Sequence, residues 1–202
     1  MIVKWAGNDA AVLDMQGPAR YITRGGESIA GFAPEVHDAL LAQGQRLGSD
    51  ASGNLRLFEI DARTALAAKL HTLSQGEIIA PDESSVSLPL KFEGGLSLLG
   101  YDLNTGPDRS VDLVTYWRVD DRLASNQSIF AHVIDQAGQT LAQQDGLNVR
   151  ASTLEAGDVI LQHFVIDRLT GAEALEIGLY DRTDGHRFLA NQSIDRVRLI
   201  LK

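Results

Sequence analysis

The sequence contains no cysteine. Disulfides, thiolate nucleophiles, zinc–thiolate sites and iron–sulfur clusters are therefore excluded. It also lacks a stretch approaching the roughly 18 consecutive apolar residues of a membrane-spanning helix, so no membrane span is expected in this chain. Runs of lysine or arginine are missing as well. With 27 acidic against 18 basic residues, the formal net charge is −9. A field of that sign repels phosphate backbones, which argues against nucleic acid as a partner. Aromatic residues make up only 6% of the chain, few for a surface built to stack sugars. The opening segment does not read as a secretion signal, because Asn8, Asp9 and Asp14 interrupt the apolar core expected of one.

What is present suits a globular protein. Hydrophobic residues account for 44% of the 202 positions and charged residues for 22%. Those proportions allow a buried core and differ from the apolar-poor, charge-rich composition of a disordered chain.

Residues 1–75 read as a small α/β subdomain. Ala11-Val12-Leu13 and Arg20 to Thr23 are short extended candidates separated by the turn signal Gly17-Pro18. A helix should open at Pro34, with Glu35 favouring its positive end. Val36, Leu40 and Leu47 would line one face, and Gly48 would supply the stop. After a polar turn, residues 55–60 suit a strand buried on both faces. A second helix is expected over 62–73, where Ala62, Ala65, Leu66, Lys69, Leu70 and Leu73 fall at helical spacing.

Residues 76–85, rich in turn formers around Gly76 and Pro81, read as a linker. Beyond it, residues 86–202 carry nine short extended segments: 86–92, 96–103, 110–119, 128–135, 139–144, 159–166, 174–181, 186–190 and 194–201. Turns such as Asp135-Gln-Ala-Gly138 and Glu155-Ala-Gly-Asp158 separate them. The expected fold class is α+β overall: a C-terminal antiparallel β-sandwich (Ig-like or jelly-roll-like) with a small N-terminal α/β subdomain. Within 159–166, apolar residues occupy both faces, so the N-terminal unit is the expected cover for the outer one.

The residues offer little for catalysis. His37, His71, His132, His163 and His186 show no metal-ligand spacing. Asp120-Asp121, Asp135, Asp181 and Asp184 sit at strand ends, where calcium could bind, although turn chemistry explains them equally. Gly95-Leu-Ser97-Leu-Leu-Gly100 has the wrong spacing for a nucleophile elbow. The glycine pairs Gly25-Gly26 and Gly94-Gly95 are not phosphate loops; they mark turns or bulges. No catalytic residue, cofactor-binding residue or metal ligand is assigned, and no cofactor is expected. Tyr116 and Trp117 are neighbours in one strand and point to opposite faces, so one should fill the core while the other stays exposed. Tyr101 and Tyr180 are further candidates for sugar stacking. Asn126-Gln-Ser128 and Asn191-Gln-Ser193 match the glycosylation sequon, a pattern short enough to occur by chance.

A group of segments over the second half of the chain carries a resemblance. They are Leu98-Leu-Gly-Tyr-Asp102, Val114-Thr-Tyr-Trp117, Phe130-Ala-His-Val-Ile-Asp135, Gly138, Ala142-Gln-Gln-Asp-Gly146, Glu155-Ala-Gly-Asp158, Gly178-Leu-Tyr-Asp181 and Gly185-His-Arg187. In order and spacing the region resembles the extracytoplasmic C-terminal β-sandwich of bacterial membrane glycosyltransferases of the dolichyl-phosphate-mannose mannosyltransferase-like type (family 39, GT-C fold). In such enzymes the catalytic acid lies in the membrane domain, so the resemblance carries no catalytic residue to any position here. It implies a non-catalytic accessory domain outside the membrane, contacting glycan or a membrane glycosyltransferase, either free-standing or part of a larger chain. Two other readings fit the residues: a protein-interaction or structural sandwich without a small-molecule ligand, and a glycan hydrolase built from distant carboxylates.

Overall fold

A computed structural model describes residues 4–24, 29–106, 110–166 and 170–201. The Gly25-Gly26 pair lies outside them. In chain order the elements are β1 (Ala10–Leu13), β2 (Ala19–Arg24), α1 (Pro34–Gln43), β3 (Gln45–Ser49), β4 (Leu55–Ile60), α2 (Ala62–Ala65), α3 (Ala67–Leu73), β5 (Glu77–Ile79), β6 (Ser85–Ser87), β7 (Leu90–Lys91), β8 (Leu96–Thr105), β9 (Val111–Val119), β10 (Gln127–Asp135), β11 (Thr140–Gly146), β12 (Val159–Ile166), β13 (Ala172–Asp181), β14 (Arg187–Phe188) and β15 (Val197–Ile200).

Two antiparallel sheets face each other. One has the order β1-β12-β9-β8-β7 and the other β11-β10-β13-β15-β5-β6, with β14 beside β13. The period-two alternation sends Leu98, Trp117, Ile160 and Phe164 from the first sheet, and Ile129, Val133, Leu175 and Ile177 from the second, into a common core. Trp117 fills the centre of that core.

The first sheet is buried on its outer face too. Leu99, Val114, Tyr116, Val159 and Leu161 pack there against Val36 and Leu40 of α1, together with Ile60 and Leu66. The two-sided strand texture of 159–166 is thus explained by a covering N-terminal unit. A third sheet, β2-β4-β3, completes that unit.

Several local expectations need correction. Residues 10–13 do not belong to a separate α/β subdomain: β1 pairs with β12, Ala10 opposite Gln162 and Leu13 opposite Val159. The stretch 76–85 is not a bare linker. Within it, β5 pairs with both β6 and β15, and Ile78 enters the sandwich core. The first helix ends at Gln43, not near Leu47, because Gly44 leaves it in an extended conformation and residues 45–49 pair with β4. A Cβ at Gly44 would meet Ile60 at 2.9 Å, so the glycine allows this close approach.

The second expected helix is two helices broken at buried Leu66. Asp61 caps the first, its side chain accepting the Thr64 N–H. Finally, β4 is covered on one face only. Leu55 is 41% exposed and Ile22 of the adjacent β2 is 68% exposed.

A charged clamp ties the N-terminal segment to the sandwich. Lys4 Nζ donates to Asp158 Oδ1 (2.7 Å) and Asp14 Oδ2 (2.9 Å), and lies 3.2 Å from Glu155. Burial alone would lower the Lys4 ammonium, but these carboxylates outweigh it and hold it above the ordinary lysine value. The neighbouring Tyr21 hydroxyl accepts the Asp14 N–H, and burial pushes its phenol up to about 12. Lys69 is raised as well: burial opposes its charge, while Asp102 and Glu35 favour it more strongly.

These groups share one linkage sign. Above the ordinary phenol and lysine values, the folded chain holds protons that the unfolded chain has released. Stability is therefore fully present below about pH 10 and falls as pH rises through the folded values. Thermal melts between pH 9 and 12 are expected to show a declining midpoint, and Tyr21→Phe should flatten that decline.

Candidate ligand-binding face

Among the described residues, no helix packs extensively on the outer face of the second sheet. On β10, Ser128, Phe130 and His132 point outward, alternating with Ile129, Ala131 and Val133 in the core. Directly opposite them stand Tyr180, Gly178 and Glu176 of β13, and Asp145 and Gln143 of β11. Arg187 of β14 lies opposite Tyr180, and Arg198 of β15 opposite Glu176. Strand register therefore brings side chains from five strands into one row.

The row is held by hydrogen bonds. His132 Nε2 is 3.2 Å from Asp145 Oδ1, and the Tyr180 hydroxyl donates to Asp145 Oδ2 at 3.0 Å. Phe130 lies beneath this group, its ring 4.7 Å from the His132 ring and 6.3 Å from that of Tyr180. The Arg187 guanidinium covers Phe130 at 4.7 Å from the ring centroid. Arg187 Nη1 donates to Asp195, which also binds Arg196, and Glu176 binds both Arg196 and Arg198 at 2.9 Å. Burial raises the Tyr180 phenol, and the bond to Asp145 adds to the effect. Tyr180 and His132 remain half-buried, so the row is accessible to a ligand without being loose.

The other residues singled out in the sequence are dispersed. His37 Nδ1 meets the Ile29 carbonyl at 3.1 Å, His71 is exposed on α3, and His186 packs edge-on against Phe188. His163 stacks on Phe32 and pairs with Asp112 at 3.1 Å. The strand-end aspartates are occupied locally. Asp135 accepts the Ala137 and Gln139 N–H groups, and Asp184 that of His186. Asp181 accepts the Thr183 N–H and the Asn126 amide, while Asp120 binds Arg118 and Ser97. Asp121 accepts the neighbouring Arg122 N–H. Among the described residues, no group of three such side chains is placed to hold a metal ion.

Tyr116 and Trp117 depart from expectation together, since both are fully buried. Trp117 lies in the sandwich core, whereas Tyr116 lies under the N-terminal unit with its hydroxyl donating to Asp102 Oδ2 at 2.6 Å. The N-terminal cover removes the exposed face that strand alternation alone would leave. Of the two sequons, Asn126 is engaged by Asp181 and Thr183, whereas Asn191 is exposed.

A groove of about 310 Å³ lies between α3 and β8, its lining including Lys69, Leu73, Glu77, Tyr101 and Asp102. Two carboxylates and an aromatic side chain line it, the residue types a glycan hydrolase draws on. Both are already engaged. Asp102 accepts from Lys69 (2.7 Å) and Tyr116, and Glu77 accepts from Ser85 Oγ at 2.8 Å.

No protein-family model matches the chain.

Proposed function

We propose that this chain is a non-catalytic accessory domain that contacts glycan through the outer face of its second sheet, acting outside the cytoplasm beside a membrane glycosyltransferase. The observation that carries the glycan reading is the fixed row Asp145, His132, Tyr180 and Arg187 over Phe130. Planar donors and acceptors locked by mutual hydrogen bonds offer a hydroxyl-rich ligand partners at little ordering cost. Tyr180 adds a partly exposed amphipathic ring. Three of the segments that carry the glycosyltransferase resemblance supply this row, around His132, Asp145 and Tyr180, and Gly185-His-Arg187 supplies the fourth side chain.

A glycan array followed by calorimetry tests this reading. The wild-type chain should bind at least one class of oligosaccharide, and Tyr180→Ala should weaken that binding about tenfold, on the order of 1.4 kcal/mol. Equal binding by the variant would move the site elsewhere.

A second reading rests on a separate surface. Ile22, Leu47 and Leu55 lie exposed on the small β2-β4-β3 sheet, an apolar group of the kind that marks protein contacts. Capture of a protein partner that Ile22→Asp abolishes, without any glycan binding, would favour the interaction module.

A further inference from the structure

We propose that a second groove, on the opposite flank of α3 from the Lys69 groove, binds a small amphiphilic carboxylate. Its apolar body would lie against the outer face of the first sheet and its head on Arg118.

The groove forms where the N-terminal cover stops. Leu99 of β8 and Val159 of β12 belong to the face that the cover buries, and with Leu88 they line the groove. All three are buried, so they make an apolar floor. Half-buried Met15 and Leu70 add apolar walls. Leu70 and His71 line this groove whereas Lys69 and Leu73 line the other, as the helical period requires of opposite flanks. The cavity measures about 570 Å³. That lies inside the roughly 300–1,000 Å³ of small-molecule sites, which are mostly apolar with a few placed polar groups.

Arg118 is the placed group. It stands opposite Val159 on one side and Ser97 on the other, and all three side chains share the outer face. Its N–H groups divide between two edges of the guanidinium. Nε donates to Asp120 Oδ1 at 2.6 Å and Nη2 reaches Ser97 Oγ at 3.5 Å, so the side edge is engaged. The end edge offers one N–H from Nη1 and the second from Nη2, and no side chain among the described residues takes it. Arg118 lines the groove, whereas Asp120 and Ser97 do not.

The open edge selects the head group. A carboxylate meets both donors of the fork at once, whereas a hydroxyl oxygen meets one. Asp120 offsets part of the guanidinium charge for either ligand, so the preference comes from the fork and not from net charge. A cationic head finds nothing to pair with, because no Asp or Glu is among the described residues of the lining. The His71 ring and the Gln75 amide, both exposed at the rim, supply further donors.

Calorimetry of the full chain with octanoate, octanol and octylamine, each held below its aggregation limit, tests the proposal. Octanoate should bind one to one, octanol about tenfold more weakly, and octylamine not at all. Arg118→Lys keeps a cation beside Asp120 but lacks the fork, and should weaken octanoate about tenfold. His71→Glu, at an exposed position, should weaken it too by adding a carboxylate to the lining. Tyr180→Ala should leave octanoate binding unchanged because Tyr180 belongs to the other sheet, so this site and the glycan face stand or fall separately. Absence of octanoate binding, equal affinity for octanoate and either of the other two probes, or unchanged octanoate affinity in Arg118→Lys would overturn the proposal.

Discussion

Lys4→Ala is expected to destabilise the fold by about 3–5 kcal/mol, the usual consequence of removing one partner from a buried ion pair. The Asp158 side chain is fully buried and Lys4 is 10% exposed, so solvent cannot take over the role of the lost ammonium. Burial pushes the Asp158 carboxyl up, and Lys4 with the Glu155 N–H is what opposes that push. Without Lys4, the carboxylates of Asp14, Asp158 and Glu155 would face one another with no cation among them. At roughly 2–4 °C per kcal/mol for a chain of this size, the melting temperature should drop by about 10 °C. Adding Asp158→Asn to the Lys4→Ala background should recover part of the loss, since it removes the stranded charge. Calorimetric melts of the two variants check both statements. A loss under 1 kcal/mol for Lys4→Ala would mean that the clamp is a surface pair of little consequence.

Gly178→Ala should be the second large effect, and it connects the fold to the binding face. A Cβ at Gly178 would lie 2.6 Å from Phe130 Cζ and 2.7 Å from the Asp195 carbonyl oxygen. The ring could tilt, but the carbonyl belongs to backbone that leads into β15 and cannot move alone. Overpacking of this kind costs about 1–3 kcal/mol. Displacing Phe130 would also lift Arg187 from its ring and disturb Asp195, so glycan binding should weaken with stability. Gly48→Ala provides the contrast, because nothing lies within 4 Å of a Cβ there. That substitution should stay within about 0.5 kcal/mol of wild type. Chemical denaturation of both variants, with binding measured in parallel, checks the pair.

Much of the architecture was legible in the sequence because it follows from short-range rules. The alternation of Leu175, Ile177 and Leu179 fixed the core face of β13. The Asp135 to Gly138 turn placed β10 beside β11, with Gly138 at φ +76° where a side chain would be strained. Apolar residues on both faces of β12 called for a cover, and α1 with its neighbours supplies it.

What escaped depended on long-range pairing. Ala10–Leu13 carries no signal that its partner lies about 150 residues away. Likewise, turn formers around Glu77–Ile79 mask a strand that reaches β15 about 120 residues away, Ile79 opposite Arg198. The early end of α1 follows from the packing of Gly44 on Ile60. The binding row was only partly visible. Tyr180 stood out as an aromatic, whereas His132 was one of five histidines without metal-ligand spacing and Asp145 drew attention only within a motif. Strand order makes them neighbours, and a single sequence does not state strand order.

Backbone chemical-shift mapping is the most direct test of the central account. The ¹⁵N-labelled chain would be titrated with the oligosaccharides that a glycan array selects. The account predicts shifts at His132, Asp145, Glu176, Tyr180, Arg187 and Arg198, and quiet resonances on the small sheet around Ile22 and Leu55. Shifts confined to the small sheet or to the α3 groove, or none at saturating sugar, would contradict it.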